Sequence, residues 1–206
     1  MPQTESPGQG SRRGAAVAFF AKAPRKGIVK TRLCPPLRPE EAAALYGTWV
    51  TASVVALPQV RTLVYGWPED GIEEISGLIP SGIEVRRQVG EDLFERMAAC
   101  FAELFAEGHS PVVIRGTDSP DVPPRRIEEA IARAAPGRVV IGPDHGGGYY
   151  LIALSEPRPE LRLDEPAAHA RELGLRLEML AEERDVDEFA DLLALWQGRG
   201  GRGPRC

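Results

Sequence analysis

Short apolar, β-rich runs alternate with amphipathic helical patterns along almost the whole chain, and few folds accommodate that alternation. Strand-like runs fall at 15–21, 60–66, 83–88, 111–116, 138–142, 149–154 and 175–180. Helix-like patterns fall between them at 39–57, 69–78, 91–107, 124–135, 165–173 and 186–196. Parallel strands need a crossover long enough to hold a helix, so this order predicts βαβ units. The expected architecture is α/β, in three layers (α/β/α), with a mainly parallel sheet covered on both faces. The helix at 91–107 is the clearest, because Phe94, Met97, Phe101, Leu104 and Phe105 recur at helical spacing and Cys100 lies beside their stripe. Pro39-Glu40-Glu41 makes a good helix start, since proline suits the first turn and carboxylates complement its dipole.

The 206 residues are enough for one domain with a substantial core, expected at 15–197. Residues 1–14 are polar and rich in Gly, Pro, Ser and Gln, which predicts a disordered leader; the Arg-Gly run at 198–206 predicts a disordered tail. A net charge of −5 argues against a nucleic-acid partner, and no apolar run approaches the ~20 residues that span a bilayer, so no membrane partner is expected. Arg12 and Arg13 before the apolar stretch at 15–21 have the outline of an export signal, but that stretch is short for one and reads better as a buried first strand. Three widely spaced cysteines, Cys34, Cys100 and Cys206, point to free thiols in a reducing compartment, hence the cytoplasm.

In open α/β sheets ligands sit beyond the carboxyl ends of the strands, so three strand ends draw the search for a site. The first strand runs through Ala21 into a loop carrying Lys22, Arg25, Lys26, Lys30 and Arg32, with Gly27 allowing close backbone approach and Thr31 between two of the cations. Such a loop suits a di- or triphosphate: lysine supplies a point charge and arginine grips two oxygens at once. A solvated basic turn is the plain alternative. The fourth strand delivers Asp118, followed by Asp121. An acidic residue at a strand end is a recurrent way to hold Mg²⁺, which takes one or two carboxylates and completes its shell with water and phosphate. The fifth strand leads through Asp144 and His145 into Gly146-Gly147-Gly148, where backbone can approach a ligand, turn tightly into the next strand, or do both. Finally, Asp185-Val186-Asp187-Glu188 opens the last helical pattern. Asp187 reads either as an acidic helix cap or as a second metal ligand opposite Asp118. With no Cys/His cluster, zinc is not expected.

Taken together, Ala21-Lys22-Ala23-Pro24, Lys30-Thr31-Arg32-Leu33, Gly116-Thr117-Asp118-Ser119-Pro120-Asp121 and Gly147-Gly148-Tyr149-Tyr150-Leu151-Ile152 resemble a bacterial family of glycosyltransferase-A-like proteins, the radical-SAM/selenodomain-associated transferases of type 1. The resemblance covers most of the chain and implies the nucleotide-diphospho-sugar transferase (GT-A) fold. Lys30-Thr31-Arg32-Leu33 is also similar to the phosphate loop of phospholactate guanylyltransferases. Asp118-Ser119-Pro120 with Val122-Pro123 is similar to the metal motif of molybdenum-cofactor nucleotidyltransferases. By the same resemblance Asp185-Val186-Asp187 matches a segment whose central Asp binds metal in relatives, and Gln88 and Arg96 belong to a segment near the base.

The resemblance implies a transferase, nucleotidyl or glycosyl, that depends on Mg (or Mn). Its donor would be a nucleoside triphosphate or nucleotide-sugar and its acceptor an unidentified small molecule. Lys22, Lys30 and Arg32 would neutralise phosphates; Ala21, Thr31, Gln88, Arg96, Gly147 and Gly148 would line the nucleotide; Asp118 and Asp187 would hold the metal. Two departures stand out. Gly146 occupies the position where the family has Asp, and the region at 155–174 is shortened. They motivate the alternative of a nucleotide-binding protein without turnover.

Overall fold

The computed structural model describes residues 13–200, with side chains to Gln197. Arg13 and Gly14 are therefore described, with the Arg13 N–H donating to the Gly108 carbonyl, whereas the rest of the expected leader and most of the expected tail lie outside these residues. The seven strands are β1 (Ala16–Lys22), β2 (Arg61–Trp67), β3 (Glu84–Arg87), β4 (Val112–Gly116), β5 (Arg138–Pro143), β6 (Tyr149–Leu154) and β7 (Arg176–Met179). They form one sheet in the order β3-β2-β1-β4-β6-β5-β7. Every neighbouring pair is parallel except those made by β6, which runs antiparallel between β4 and β5. The α/β expectation, with a mainly parallel sheet, holds. The exception has a local cause: the glycine run at 146–148 is too short for a crossover and returns the chain as a hairpin.

Among the described residues six helices cover the sheet: α1 (Pro39–Ser53), α2 (Ile72–Ser76), α3 (Leu93–Ala106), α4 (Arg125–Arg133), α5 (Pro166–Glu172) and α6 (Phe189–Gly200). The alternation of β1 shows how two cores arise from one strand. Val17, Phe19 and Ala21 face a cluster built with Ala42, Tyr46, Trp49 and Val50 of α1 and Ile75, Ile127 and Leu195 of α2, α4 and α6. Ala16, Ala18 and Phe20 face the other side, against Met97, Cys100, Phe101 and Leu104 of α3 and Ala170 of α5. The central strand is thus apolar at every buried position because both of its faces are covered. Cys100 is fully packed, and burial pushes its thiol pKa well up, so it is a small apolar side chain here. No helix among the described residues is long and apolar enough to cross a membrane.

Three helix boundaries differ from expectation. The first helix stops at Ser53, where Val54 turns to extended backbone, four residues before the expected end at 57. The pattern at 69–78 resolves into a 3₁₀ turn, Glu69–Gly71, and the short α2; Gly71 lies against the first loop, where a Cβ would meet that of Ala23 at 2.5 Å. The last helix starts at Phe189, and residues 185–188 are not helical: the Asp191 carboxylate accepts from the Asp187 and Glu188 N–H groups at 3.2 and 2.9 Å and caps the helix from inside.

The start of α3 matters for the site, since it overhangs the strand ends. Asp92 caps it, accepting from the Phe94 and Glu95 N–H groups at 2.8 and 2.9 Å. Before the cap, Gly90 has a φ of +140° and would carry a Cβ 2.8 Å from the Arg96 nitrogen. Gly90→Ala should therefore lower stability by about 1–3 kcal/mol through backbone strain and this clash. The check is a lower denaturant midpoint at unchanged slope.

Candidate functional site

The carboxyl ends of β1, β4 and β5 meet at one edge of the sheet, and two connected cavities open there. The larger, about 470 Å³, is bounded by Lys22, Gln88, Arg96, Asp118, Asp144 and Gly148 together with an apolar wall from Trp67, Leu93, Phe94, Met97 and Tyr149. The smaller, about 230 Å³, lies over the basic loop and is lined by Lys22, Lys30, Thr31, Arg32, Asp118 and Asp187 among others. Lys22 and Asp118 belong to both and stand at their junction.

The strand ends are held in register by a hydrogen-bond chain. The Lys22 N–H donates to the Tyr46 hydroxyl at 3.0 Å, Tyr46 and Thr117 share a bond of 2.8 Å, and the Thr117 hydroxyl donates to the Phe20 carbonyl at 3.1 Å. Because Thr117 donates to Phe20, Tyr46 is the donor to Thr117. Phe20, Tyr46 and Thr117 are buried, and burial drives the Tyr46 phenol pKa up and out of the physiological range. Behind the Asp118 loop lies Arg115, 2% exposed, which donates to the Ser53, Ser119 and Val122 carbonyls at 2.9, 3.1 and 3.2 Å. Desolvation lowers its pKa to about 10, and its ring neighbour is Phe19, 5.5 Å from the guanidinium carbon.

At the centre of the polar side, the Lys30 ammonium sits among three carboxylates. Its Nζ is 2.9 Å from Asp118, 3.1 Å from Asp187 and 3.9 Å from Asp185, and its side chain is 5% exposed. The nitrogen lies 5.6 Å from the Trp49 ring centroid. Burial alone would lower the Lys30 pKa, but the carboxylates outweigh it and the net direction is upward. Asp185 moves the opposite way from an ordinary carboxyl: burial and the charges of Asp118 and Asp187 raise it to about 7, against the pull of Lys30. The segment 185–187 is tied to the Asp118 loop by the Val186 N–H, which donates to the Asp118 carbonyl at 3.4 Å.

The five cations of the first loop have separate fates. Arg25 is bound to Asp70 and Glu74 at 2.8 and 2.6 Å and anchors the loop to the 69–76 segment. Lys26 reaches Glu40 at 3.4 Å. Arg32 is 72% exposed, with one nitrogen 3.7 Å from Asp187. Lys22 makes no ion pair among the described residues. Lys30, expected to face phosphate, is turned inward onto the carboxylates. Elsewhere, Gln88 donates to the Tyr65 and Ala21 carbonyls at 2.8 and 3.4 Å, so its amide joins two strand ends while still bounding the cleft. Arg96 donates to the Gly90 and Glu91 carbonyls at 3.0 and 2.8 Å and stacks over Trp67, which commits its guanidinium to the loop before α3. Gly148 lines the cleft; Gly147, with φ of +86°, forms the tip of the turn outside it. Asp187 faces Lys30 and Arg32 rather than the first turn of its own helix, where Asp191 acts instead.

Asp185, Tyr46 and Asp144 were not singled out by sequence. Asp185 had a signal, its place beside Asp187. Tyr46 had none, since it recurs with Ala42 and Trp49 as a core residue and only the fold reveals its hydroxyl at the site. Asp144 turns its carboxylate onto the N–H groups of Gly146 and Gly148 at 2.8 and 2.9 Å, which places a carboxylate over the glycine turn from a position two residues earlier than Gly146.

A family described as uncharacterized proteins conserved in bacteria, DUF2064, matches residues 48–166, more than half of the chain and including β4, the Asp118 loop and the glycine turn. The chain belongs to DUF2064. No curated protein matches this DUF2064 sequence. Its fold is shared by a candidate nucleotide-diphospho-sugar transferase from Desulfovibrio desulfuricans G20, with a TM-score of 0.83 and 27% identity over 93% of this chain and 90% of that one. CMP:2-keto-3-deoxy-manno-octonic acid synthetase complexed with CTP matches with a TM-score of 0.54 and 13% identity over 92% of this chain and 100% of that one. Rv0371C from Mycobacterium tuberculosis H37Rv, solved in complex with manganese, matches with 0.50 and 17% over 90% and 98%. These establish for the DUF2064 chain the nucleotide-diphospho-sugar transferase fold.

Two measurements test this geometry. Tyr46→Phe should cost about 1–3 kcal/mol of stability, because the Lys22 N–H loses its acceptor and the buried Thr117 hydroxyl loses its donor. For Asp185, a folded-state pKa above the unfolded value of about 4 means the folded chain holds that proton more tightly, so its stabilising contribution is full below pH 4 and lost as pH rises through about 7. Asp185→Asn removes that loss. The variant should gain about 2 kcal/mol over the parent at pH 8 and little at pH 4, read from paired unfolding curves; one pKa unit is worth ~1.4 kcal/mol and the carboxyl keeps some solvent.

Proposed function

We propose that this protein is a divalent-metal-dependent transferase using a nucleoside triphosphate or nucleotide-sugar donor. The observation that carries this reading is the convergence of Asp118 and Asp187, with Lys22, Lys30 and Arg32, at the junction of the two cavities. The basic loop cavity suits the phosphates, the larger cleft suits the nucleoside or sugar with its acceptor, and Asp118 stands between them. Support comes from the solved neighbours as well, among them a nucleotide-diphospho-sugar transferase candidate, a CTP complex and a manganese complex. The motif resemblance to the transferases associated with radical-SAM and selenodomain proteins belongs to the same reading.

The donor set fits a hard divalent cation, Mg or Mn. All the groups are carboxylate oxygens, and Asp118 and Asp187 place one oxygen each within 3.1 Å of a single point, now held by an ammonium. No group of three His, Cys, Asp or Glu side chains among the described residues is arranged to hold a metal by itself, which accords with an ion sharing its shell between two carboxylates and donor phosphate. When bound, such an ion supplies Lewis-acid stabilisation of charge on the leaving phosphate. Lys22, exposed and without an ion pair among the described residues, is the cation best placed to meet a phosphate oxygen, and Arg32 approaches from the loop. No protein nucleophile is required; the acceptor brings its own oxygen, and catalysis is by positioning and electrostatics. A cytoplasmic location belongs to the same proposal, supported by the free thiols of Cys34 and Cys100, which suit a reducing compartment.

A second reading, nucleotide binding without turnover, is favoured by one observation: the Asp144 carboxylate, which lies nearest to the position of Gly146, is already engaged by two turn N–H groups. Release of pyrophosphate or nucleoside diphosphate in the presence of donors and Mg²⁺ separates the two.

Asp118→Asn should abolish the Mg²⁺-dependent part of nucleotide affinity while leaving the chain folded; unaltered Mg²⁺ dependence in a titration calorimeter would remove Asp118 from the metal site. Arg32→Ala should weaken triphosphate binding by about 1.5–3 kcal/mol, roughly ten- to hundredfold, and nucleoside binding hardly at all. Equal loss for both ligands would make Arg32 a residue of loop structure instead.

A further inference from the structure

Lys30 is the site's most constrained side chain, and the reading above leaves its position unexplained. A phosphate-binding lysine is normally presented to solvent, yet this one is 5% exposed and touches carboxylates on two sides. Its backbone is left-handed, with φ 48° and ψ 39°, a conformation that residues other than glycine adopt under constraint. The aromatic face of Trp49 completes its surroundings.

The ammonium stands where a divalent ion shared by Asp118 and Asp187 would have to be. Its distances of 2.9 and 3.1 Å are hydrogen-bond lengths, and a Mg²⁺ on the same two oxygens would lie about 2.0–2.1 Å from each, within bonding range of the nitrogen's own place. Two cations cannot share that space in a partly dry pocket. For the metal to enter, the ammonium must leave, and it needs a compensating anion on arrival. The smaller cavity supplies the route: Lys30 lines it with Lys22, Thr31 and Arg32, where donor phosphate is expected. The charge balance points the same way, since Asp118 and Asp187 face Lys30 and only the distant edge of Arg32, so that departure of the ammonium leaves carboxylate charge for a divalent ion to neutralise.

We propose that Lys30 is an exchangeable counter-ion, which occupies the metal seat of the free protein and moves to the donor phosphates as the metal enters, so that metal and nucleotide load together. This rests on the metal-dependent reading given above. It makes Lys30 a positioning residue for the metal and a phosphate contact only in the loaded state.

The test is binding of Mn²⁺ alone, with no nucleotide, followed by the electron paramagnetic resonance signal of the free ion. The parent should bind Mn²⁺ weakly. Lys30→Gln and Lys30→Met should each bind it at least about tenfold more tightly, as expected when a competitor filling the seat more than nine-tenths of the time is removed. Adding Asp118→Asn to either variant should abolish the gain. Equal, Asp118-dependent affinity in parent and variants would overturn the exchange and leave the metal site standing. A gain indifferent to Asp118→Asn would also overturn it. Absence of Mn²⁺ binding in parent and variants alike would remove the metal site and the proposed function together. If carboxylates left without their ammonium lower the variants' melting temperature, Mn²⁺ should restore it much more than it raises the parent's; variants that stay unfolded at saturating Mn²⁺ would make Lys30 a structural cation and overturn the proposal.

Discussion

The Lys30 ion cluster is the interaction on which the arrangement of the site depends. It joins a loop near the start of the chain to Asp118 after the central strand and to Asp185 and Asp187 before the last helix. Because the Lys30 side chain is buried although Asp118 and Asp187 keep some solvent, such a contact is stronger than a surface ion pair and more costly to leave incomplete. Several features otherwise unrelated follow from it. The left-handed backbone at Lys30 turns the side chain inward, residues 185–188 stay out of the helix that follows them, and the Asp185 carboxyl holds its proton toward neutrality. A surplus of carboxylate over cation is unfavourable for the free chain and favourable for a ligand that brings positive charge.

The frame around this cluster is rigid where the cluster is adjustable. Central strands buried on both faces, the Tyr46–Thr117 hydrogen-bond chain and the Arg115 guanidinium beneath the Asp118 loop hold the strand ends. The polar groups of this frame are satisfied internally, apart from the Arg115 Nε and the Ser53 hydroxyl, which have no hydrogen-bond partner. The exposed cations and the apolar wall of the larger cleft, by contrast, remain open to a ligand. Pre-organised strand ends with loosely committed loop charges suit a site that binds by electrostatics and positions two substrates.

Much of this was legible before any coordinates. The seven strand runs and six helices among the described residues were read from apolar patterning, because burial of one helix face imposes a period of 3.6 and burial of both strand faces a short continuous apolar run. The strand-end rule led from there to Lys22, Asp118 and the glycine turn. Helix ends were less legible: the true cap of the last helix is Asp191, an interior residue reaching back, and nothing in the local pattern of 185–188 excludes a helix.

What the sequence by itself determined is therefore the α/β class, the element order and which strand ends carry charge, since these depend on local spacing and on amphipathic periodicity. Only the tertiary structure decided how the charges are paired. Arg25 and Lys26 are spent on neighbouring acids, Gln88 and Arg96 on backbone carbonyls, and Lys30 on carboxylates up to 157 residues away. A side chain's charge is written in the sequence, but its partner depends on which strands lie side by side, and that order, β1 between β2 and β4 with β6 reversed beside them, is set by packing across the whole sheet.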